Sequence, residues 1–431
     1  MFLKSIHLNN IKCFSDIALS FEDEKGGIRK WTLLLAENGM GKSTLLKAIA
    51  LITGGSDAIA DLLGEPSDWI RYETQACEIS AVLITTEGEE REIRLQIAPE
   101  DTRTDVIRKN EQSLAWLDKA LKGKKEDYFV LGFGASRHLN AANSRRTKTS
   151  EFTNKRAQRV ATLFNPDATT KPIDSWAMDL DYIGNSTALE TVRKLLNNLL
   201  PGIKFHSIDK QNGHLLFDTP DGIVPLHCLS NGYLAMAAWI GDLLFQVLEV
   251  SGDSQEKPLT ANGLLLIDEV DLHLHPKRQR QLLSLLDKSL PHFQLVATTH
   301  SPMAAQQAGE GELHYLMRER GKIHLYPFSG APNTLLLHQL VMSPAFGLDT
   351  DESKSVEDMK NRYRVLRDKA DLSAKEQAEL DKLTTVITEL PLGGRASMIL
   401  SEEHEQLLRK IEQELQEGRR GFDALSPISE G

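Results

Sequence analysis

Short apolar runs alternate with amphipathic stretches through the first 330 residues of the chain. Four of these runs are apolar at nearly every position, which is typical of strands buried on both faces of a sheet. They occupy residues 31–35, 128–133, 263–267 and 293–298. Helices are predicted at Thr44 to Ile52, from about Ser230 to Val250, and from Pro276, at the first helical position that proline favours. Strands that alternate with helices predict an α/β fold around a parallel or mixed sheet.

Further short strands are indicated by segments in which apolar and polar positions alternate. A turn at Glu87-Gly88 predicts a hairpin between two of them. The predicted strands are residues 2–8, 17–21, 77–84, 91–97, 203–207, 214–218 and 222–226. Residues 187–200 predict a helix that ends at Pro201, whereas the polar residues 140–175 predict a long loop or a loosely packed helix.

Past residue 340 the pattern changes to charged, amphipathic helices. Ser373 and Glu376 have the spacing of a capping box, in which each residue satisfies a backbone N–H near the start of a helix. Apolar residues follow at helical spacing, namely Leu380, Leu383, Val386 and Leu390. A second helix is predicted at about residues 402–417. The apolar stripes of these helices would pack either on the rest of the chain or on a partner protein.

Composition and charge limit the possible partners and compartments. The 431 residues carry a net charge of −11, so any contact with DNA must be a local patch, for which the basic run from Arg137 to Arg159 is the candidate. Three cysteines, Cys13, Cys77 and Cys228, give neither a metal-ligand pair nor a disulfide framework. With no signal peptide and no unbroken apolar run of about 20 residues, we expect a cytoplasmic protein without a membrane contact.

A glycine-rich loop lies between the apolar run 31–35 and the helix that follows. In such a loop, backbone N–H groups wrap phosphates, a lysine reaches the β- and γ-phosphates, and a hydroxyl joins the Mg²⁺ shell. Ala36 stands where the usual pattern has its first glycine. The residues that we expect to bind ATP are Asn38, Gly39, Gly41, Lys42, Ser43 and Thr44, with Ser43 also a Mg²⁺ ligand.

Three other segments carry side chains suited to ATP chemistry. Asp268 and Glu269 follow the apolar run 263–267, where the first would hold the Mg²⁺ shell and the second would orient the attacking water. His300 follows the run 293–298 and could hydrogen-bond the γ-phosphate. Ser230 and Gly232, in Leu229-Ser230-Asn231-Gly232-Tyr233, lie at a predicted helix N-terminus, which favours an anion.

These segments, in this order, resemble the ABC-class ATPase head of the SMC and RecF families over roughly residues 1–325. The resemblance implies two heads that bury two ATP molecules head to tail, in a homodimer or a higher homo-oligomer. Lys42, Ser43, Asp268, Glu269 and His300 would act within one head, Ser230 and Gly232 would face the partner's γ-phosphate, and Asp271 would link the two sites. The family's Q-loop glutamine has no counterpart in residues 132–137.

The resemblance also divides the chain. The N-terminal part of the head would be residues 1–139, a helical and basic lid insertion residues 140–200, the C-terminal part of the head residues 201–330, and a helical tail residues 331–431. The interval between the glycine-rich loop and Ser230 is too short for the long coiled coil of SMC proteins.

In the tail, residues 337–353 (LHQLVMSPAFGLDTDES) and 362–383 (RYRVLRDKADLSAKEQAELDKL) are similar to the C-terminal part of the PtuA family. Members of this family are the ATPase subunits of Septu antiviral systems, whose partner is a separate HNH nuclease. This resemblance implies a slow ATPase whose head dimerisation gates a nuclease. Two alternatives stay open: a RecF-like DNA-binding repair ATPase, and an ATPase fused to a nuclease, as in the OLD family. The second alternative needs a metal-binding acidic cluster. Asp349-Thr350-Asp351 has the required residue types, but no apolar run that would predict a buried strand precedes it.

Overall fold

The computed structural model describes most of the chain and shows an α/β architecture, as predicted. The described residues are 1–85, 87–121, 128–136, 152–200, 202–251, 262–348, 350–369 and 371–390. Their strands are β1 (Phe2–Ile11), β2 (Phe14–Ser20), β3 (Trp31–Leu35), β4 (Cys77–Ile84), β5 (Glu90–Ile97), β6 (Tyr128–Phe133), β7 (Lys204–Asp209), β8 (His214–Thr219), β9 (Gly222–Pro225), β10 (Asn262–Ile267), β11 (Phe293–Thr299), β12 (Leu313–Glu319) and β13 (Lys322–Pro327).

The α-helices range from single turns to five turns or more. They are α1 (Lys42–Thr53), α2 (Ser56–Leu62), α3 (Arg103–Leu121), α4 (Lys155–Gln158), α5 (Ala161–Phe164), α6 (Ile173–Ile183), α7 (Ser186–Leu199), α8 (Asn231–Ser251), α9 (Pro276–Ser289), α10 (Pro302–Ala305), α11 (Leu337–Val341), α12 (Lys354–Arg367) and α13 (Ala374–Glu389). The chain forms two compact units, residues 1–340 and 341–431.

A six-stranded sheet in the order β13-β12-β3-β11-β10-β6 is the centre of the first unit. All neighbours in it are parallel except β13, which is antiparallel to β12. The register pairs Thr299 with Leu35 and Ile267 with Ala297, so the carboxyl ends of β3, β11 and β10 are level. The segments that follow these strands therefore meet at one edge of the sheet, where α/β proteins bind ligands.

A second, antiparallel sheet in the order β2-β1-β4-β5 packs on the first through α1. The helix contacts β4 and β5 on one side and β6, β10 and β11 on the other, and most of its side chains are buried. Gln294 of β11 also joins the sheets, because its side chain accepts from Leu3 N at 2.9 Å and donates to Leu3 O at 2.8 Å. The glycine-rich loop thus begins a helix that is fixed from both sides.

The remaining elements of the first unit form a helical layer with a small sheet. The meander β7-β8-β9 was predicted and is confirmed, and α7 matches the predicted helix 187–200. Helices α6 and α7 both pack on α8, and α7 also packs on α9. The helical part of the predicted lid thus packs on elements of the second half of the head.

Two elements differ from the sequence predictions. Helix α3 was missed, because only Val106, Asn110, Leu114 and Leu117 of its 19 residues are buried and so narrow a stripe gives a weak periodic signal. Helix α8 is long and apolar enough to cross a membrane by length and composition, contrary to the expectation that no segment would be. Yet 61% of that window is buried inside the protein, as in a helix that packs in a core.

Asp242 is a buried carboxyl group in the middle of α8. Its Oδ1 accepts a hydrogen bond from Lys171 N at 2.9 Å, and the side chain is 8% exposed. Burial raises the pKa of Asp242 to about 6, although the bonds from Lys171 and Gln246 act in the opposite direction. The folded protein therefore binds this proton more tightly than the unfolded chain does.

Asp242→Asn should change the pH dependence of stability. The contribution of Asp242 is fully present below about pH 4 and is lost as pH rises through about 6, because the folded pKa is the higher one. We expect Asp242→Asn to be more stable than the wild type at pH 8, by up to about 3 kcal/mol, and similar near pH 4. Urea denaturation at both pH values measures this, with the exposed Asp179→Asn as control. A constant difference at the two pH values would contradict the assignment.

The second unit contains α12 and α13, which pack against each other. Arg362 donates from Nε and Nη2 to the carboxylate of Glu379, both at 2.9 Å. The predicted capping box at Ser373 and Glu376 is confirmed. The helix predicted at about residues 402–417 lies outside the described residues.

Candidate functional site

The glycine-rich loop turns tightly between β3 and α1. Gly39 and Gly41 have φ values of 77° and 90°, in the left-handed region that glycine adopts without strain. The first-turn N–H groups of α1 have no partner within the helix, and the positive end of its dipole lies at the same place. The predicted phosphate-binding residues Asn38, Gly39, Gly41, Lys42, Ser43 and Thr44 thus form one turn at the start of a fixed helix.

Gly41 is also required by its neighbours. A Cβ atom on Gly41 would lie 2.4 Å from Phe14 Cζ and 2.5 Å from Cys13 Sγ, and Phe14 is fully buried. A Cβ atom on Gly39 would meet nothing within 4 Å. The turn between β1 and β2 therefore fixes one side of the loop.

Gly41→Ala should destabilise the protein far more than Gly39→Ala. Both substitutions put a side chain at positive φ, but only the first adds a clash with buried atoms. We expect losses of about 3 kcal/mol or more for Gly41→Ala and about 1 kcal/mol for Gly39→Ala. Equilibrium denaturation measures both, and equal losses would show that Phe14 and Cys13 move aside.

Lys42 lies folded into the loop that precedes it. Its ammonium donates to Ala36 O at 2.8 Å and to Glu37 O at 3.0 Å, and the residue is 6% exposed. Burial lowers the pKa of Lys42, while the charges of Asp268 and Glu269 raise it in part. An incoming phosphate would offer this ammonium a full negative charge in place of two carbonyl oxygens.

Asp268 joins the glycine-rich loop to two strand ends at the edge of the sheet. Ser43 Oγ donates to its Oδ2 at 2.5 Å, and Thr298 Oγ1 donates to its Oδ1 at 2.6 Å. Thr298 Oγ1 in turn accepts from Glu269 N at 2.7 Å. The glycine-rich loop, the end of β10 and the end of β11 are thereby linked through side chains.

Hydroxyl and carboxylate oxygens are the ligands that Mg²⁺ prefers, so the chemistry of Ser43 and Asp268 fits this ion. Among the described residues, no group of three or more His, Cys, Asp or Glu side chains is placed to hold a metal. Mg²⁺ commonly uses one or two protein carboxylates together with substrate phosphates, which agrees with this arrangement.

Glu269 and His300 lie beside Asp268. Glu269 is partly exposed and has a φ of 48°, an unusual conformation for a residue other than glycine. Burial lowers the pKa of His300, as does the charge of Lys42, whereas Glu269, Asp271 and Asp268 raise it. A lowered pKa keeps His300 neutral at pH 7, able to donate one hydrogen bond and to accept another.

Ser230 and Gly232 are not part of this cluster. Ser230 is exposed, and its carbonyl accepts from Leu234 N at 3.0 Å at the start of α8. Within the described residues, neither Ser230 nor Gly232 hydrogen-bonds to the glycine-rich loop of its own chain. A Cβ atom on Gly232 would lie 2.8 Å from His273 O, so packing on the loop after β10 explains this glycine even without a phosphate.

One residue of the site was not predicted from the sequence, and one residue that the family resemblance implies is absent. Thr298 was not predicted, although its place at the end of a buried strand, directly before Thr299 and His300, was a usable signal. The Q-loop glutamine is not found after β6, where Gly134, Ala135 and Ser136 follow. Gly134 packs so closely on Thr162 that a Cβ atom would lie 2.0 Å from the Thr162 carbonyl oxygen.

The described cations of the basic run from Arg137 to Arg159 have partners within the protein. Lys155 pairs with Glu249 at 2.7 Å and Arg156 with Asp57 at 2.8 Å. Arg159 is 5% exposed, with its guanidinium 5.9 Å from the centre of the Phe129 ring. These three cations do not form a free DNA-binding surface, and residues 137–151 lie outside the described residues.

A protein-family match covers the part of the chain that contains these residues. Residues 37–304 match the family described as "AAA domain, putative AbiEii toxin, Type IV TA system". The chain belongs to this AAA family. The matched range includes Gly39 and Gly41 of the glycine-rich loop, Asp268, Glu269 and His300. The family domain therefore contains the residues that meet at this edge of the sheet.

This AAA protein is similar to several curated proteins. It is 24% identical to the Septu protein PtuA of Bacillus mycoides (strain KBAB4) over 383 residues, 89% of this chain and 50% of that protein. The Retron Ec83 probable ATPase of Escherichia coli is 33% identical over 28% of this chain and 22% of its own length. The OLD nuclease of Thermus scotoductus is 24% identical over 70% of this chain and 60% of its own length. The resemblance to PtuA predicted from the sequence is confirmed, and the AAA chain spans about half the length of that relative.

Among solved structures, an SMC head bound to the C-terminal winged-helix domain of ScpA aligns with 76% of this chain and 98% of its own, at 16% identity and a TM-score of 0.48. The predicted α/β fold of a P-loop ATPase head is confirmed by the sheet topology and by the match to the AAA domain family.

Proposed function

We propose that this protein is the ATP-binding, slowly hydrolysing regulatory subunit of a bacterial antiviral defence complex. Two heads would close around two ATP molecules and thereby gate an associated HNH-type nuclease. The observation that carries this proposal is the junction of Ser43, Asp268 and Thr298, which joins the phosphate loop to the two strand ends that bear Glu269 and His300. The similarity to PtuA and to a retron ATPase supports the biological setting.

The residues of the cluster have separate roles in the proposed reaction. Lys42 and the loop N–H groups would bind the β- and γ-phosphates, and Ser43 and Asp268 would hold Mg²⁺, which supplies charge neutralisation for phosphoryl transfer. Glu269 would accept a hydrogen bond from the attacking water, and His300 would donate one to the γ-phosphate. Within one head, these residues would bind and orient the nucleotide, and one side of it would stay open to a second head.

Ser230 and Gly232 of a second head would cover that side. The exposure of Ser230 at the first turn of α8, away from its own loop, supports a role toward another molecule. Hydrolysis is expected to be slow, because each turnover would require the dimer to form and to open again. In this mechanism, ATP acts as a clamp whose lifetime sets the state of the nuclease.

The test is the mass of the complex in solution. We would purify the protein together with the product of the adjacent gene and measure the mass with and without ATP and Mg²⁺. The proposal predicts a second protein in the complex and an assembly state that depends on ATP. An ATP-dependent dimer without a partner, whose DNA affinity falls steeply with salt, would instead favour the RecF-like alternative.

The OLD-like alternative finds no support in the described part of the tail. Between α11 and α12 the described residues form turns and no strand, so no strand presents Thr350 and Asp351 as a metal-binding pair. Asp349 lies outside the described residues.

A further inference from the structure

Two adjacent residues at the start of α9 contact the switch segment (residues 299–301) and the first turn of α8. Gln279 reaches the switch segment, because Ser301 Oγ donates to Gln279 Oε1 at 2.7 Å. Ser301 follows His300 directly and is 9% exposed. The same Gln279 donates from Nε2 to Leu274 O at 3.0 Å. One amide group therefore binds the segment after β11 with one end and the loop after β10 with the other.

Arg278, the neighbour of Gln279, holds the first turn of α8. Its guanidinium carbon lies 3.7 Å from the centre of the Tyr233 ring, which is stacking distance for a cation on an aromatic face. Tyr233 follows Gly232, where a Cβ atom would lie only 2.8 Å from His273 O, so the backbone there packs closely on this loop. The turn that bears Ser230 is thus bound both to α9 and to the loop after β10.

The loop after β10, residues 269–275, is the common partner of these contacts. Thr299 donates to the Asp271 carboxylate, which bonds this loop directly to the switch segment. Glu269 and His273 hold φ values of 48° and 63°, and non-glycine residues keep such values only where neighbours fix them. A shift of His300 and Ser301 must therefore also move this loop and the α8 turn that packs on it.

We propose that Arg278 and Gln279, called here the α9 clasp, are positioning residues that couple the nucleotide site of a head to the surface it presents to its partner. This inference rests on the proposed function, since it requires two heads that close on ATP. When the γ-phosphate fixes the position of His300, the adjacent Ser301 moves with it and shifts Gln279 through their hydrogen bond. The α9 clasp then sets the position of Ser230 and Gly232. A head with ATP bound is then better shaped for its partner than an empty head.

The physical basis is a chain of direct contacts. Coupling between sites travels through packed side chains and hydrogen bonds that have more than one arrangement. A ligand shifts such a system only by what it binds differently in the two arrangements. Within the described residues, Gln279 is the member of this pair whose side chain hydrogen-bonds to the switch segment, so its removal should break the coupling while leaving the phosphate loop intact.

The first variant is Gln279→Ala, measured with a non-hydrolysable ATP analogue and Mg²⁺. We expect the affinity of the dilute, monomeric head for the analogue to stay within about twofold of the wild type, because Lys42 and the phosphate loop are untouched. The analogue-dependent dimer should be weakened about tenfold, the size expected from the loss of one to two hydrogen bonds. Calorimetry measures the first quantity and analytical ultracentrifugation the second.

Arg280→Ala is the matched control. Arg280 is exposed on the next position of α9, and its side chain makes no hydrogen bond or ion pair with any described residue, so both quantities should match the wild type. Gln279→Glu keeps the acceptor for Ser301 but cannot donate to Leu274 O, and we expect an intermediate dimer affinity. Thermal unfolding of each variant reports whether the fold is kept.

A second pair of variants tests the other half of the clasp. Tyr233→Phe keeps the ring under Arg278 and should dimerise like the wild type, whereas Tyr233→Ala removes the ring and should weaken the dimer as Gln279→Ala does. If the clasp had only a structural role, the variants would lose nucleotide affinity, dimer affinity and thermal stability together, and dimer affinity would not be lost selectively. That result would overturn the proposal.

The outcomes also separate this inference from the function on which it rests. If the wild type binds ATP and dimerises, and Gln279→Ala dimerises equally well, the clasp is wrong and the proposed function stands. If the wild type binds ATP but never dimerises, the proposed function fails and the clasp fails with it. Loss of dimerisation in Gln279→Ala with analogue affinity retained supports both.

Discussion

Lys42→Ala is expected to abolish measurable ATP binding. The Lys42 ammonium is the one side-chain cation placed inside the glycine-rich turn, where it bonds to Ala36 O and Glu37 O. Charge-assisted hydrogen bonds to a phosphate contribute about 3 kcal/mol, which corresponds to a loss of about 100-fold or more in affinity. Isothermal titration with ATP and Mg²⁺ measures the effect.

Lys30→Ala is the control for this substitution. Lys30 lies immediately before β3 and Lys42 lies beyond its other end, and the Lys30 ammonium pairs with Asp287 at 2.6 Å. The control removes a lysine from the opposite edge of the sheet and should bind ATP like the wild type. Equal affinities of Lys42→Ala and Lys30→Ala would place the nucleotide elsewhere and would remove the basis of the proposed function.

Glu269→Gln is expected to trap an ATP-bound dimer. The substitution keeps the size of the side chain and removes the charge that would polarise the attacking water, while Asp268 and Ser43 remain to hold Mg²⁺. General base catalysis contributes about 100-fold or more, so turnover should fall by at least that factor. Size-exclusion chromatography with light scattering should show a dimer that persists after ATP is added and free nucleotide is removed.

The control for Glu269→Gln is Glu310→Gln. Glu310 is exposed and precedes β12, at the edge of the sheet opposite to the site. The Glu310→Gln variant should hydrolyse ATP and change its assembly state like the wild type. If Glu269→Gln shows the same assembly state as the wild type with and without ATP, the mechanism with two heads closed on ATP is wrong.

The position of the phosphate loop and of the acidic pair could be predicted from the chain alone. Residues 31–35 and 263–267 are apolar at nearly every position because each strand is buried on both faces, and this demand is local enough to be visible in the sequence. Glycine at positions 39 and 41 follows from positive φ values, a backbone demand that few other residues meet. Strand, turn and helix therefore appear in the sequence in the order in which the structure has them.

Local patterns gave less information where a helix has a narrow buried stripe or where charges have hidden partners. Helix α3 buries four of its 19 residues, and its periodicity was too weak to predict. The basic run was interpreted as a possible DNA contact, yet Lys155 and Arg156 are paired with Glu249 and Asp57, which are distant in the sequence. Only the folded chain shows which charges are already neutralised.

The sequence by itself determined the fold class, the phosphate loop and the identity of the acidic and histidine residues, because each depends on a short segment with strict local demands. The tertiary structure decided how these segments meet. The level register of β3, β11 and β10 brings Ser43, Asp268 and Thr298 together, and α9 joins the switch segment to the first turn of α8 through Arg278 and Gln279. Such contacts join residues far apart in the chain, and their distances depend on the packing of whole elements, which no local pattern records.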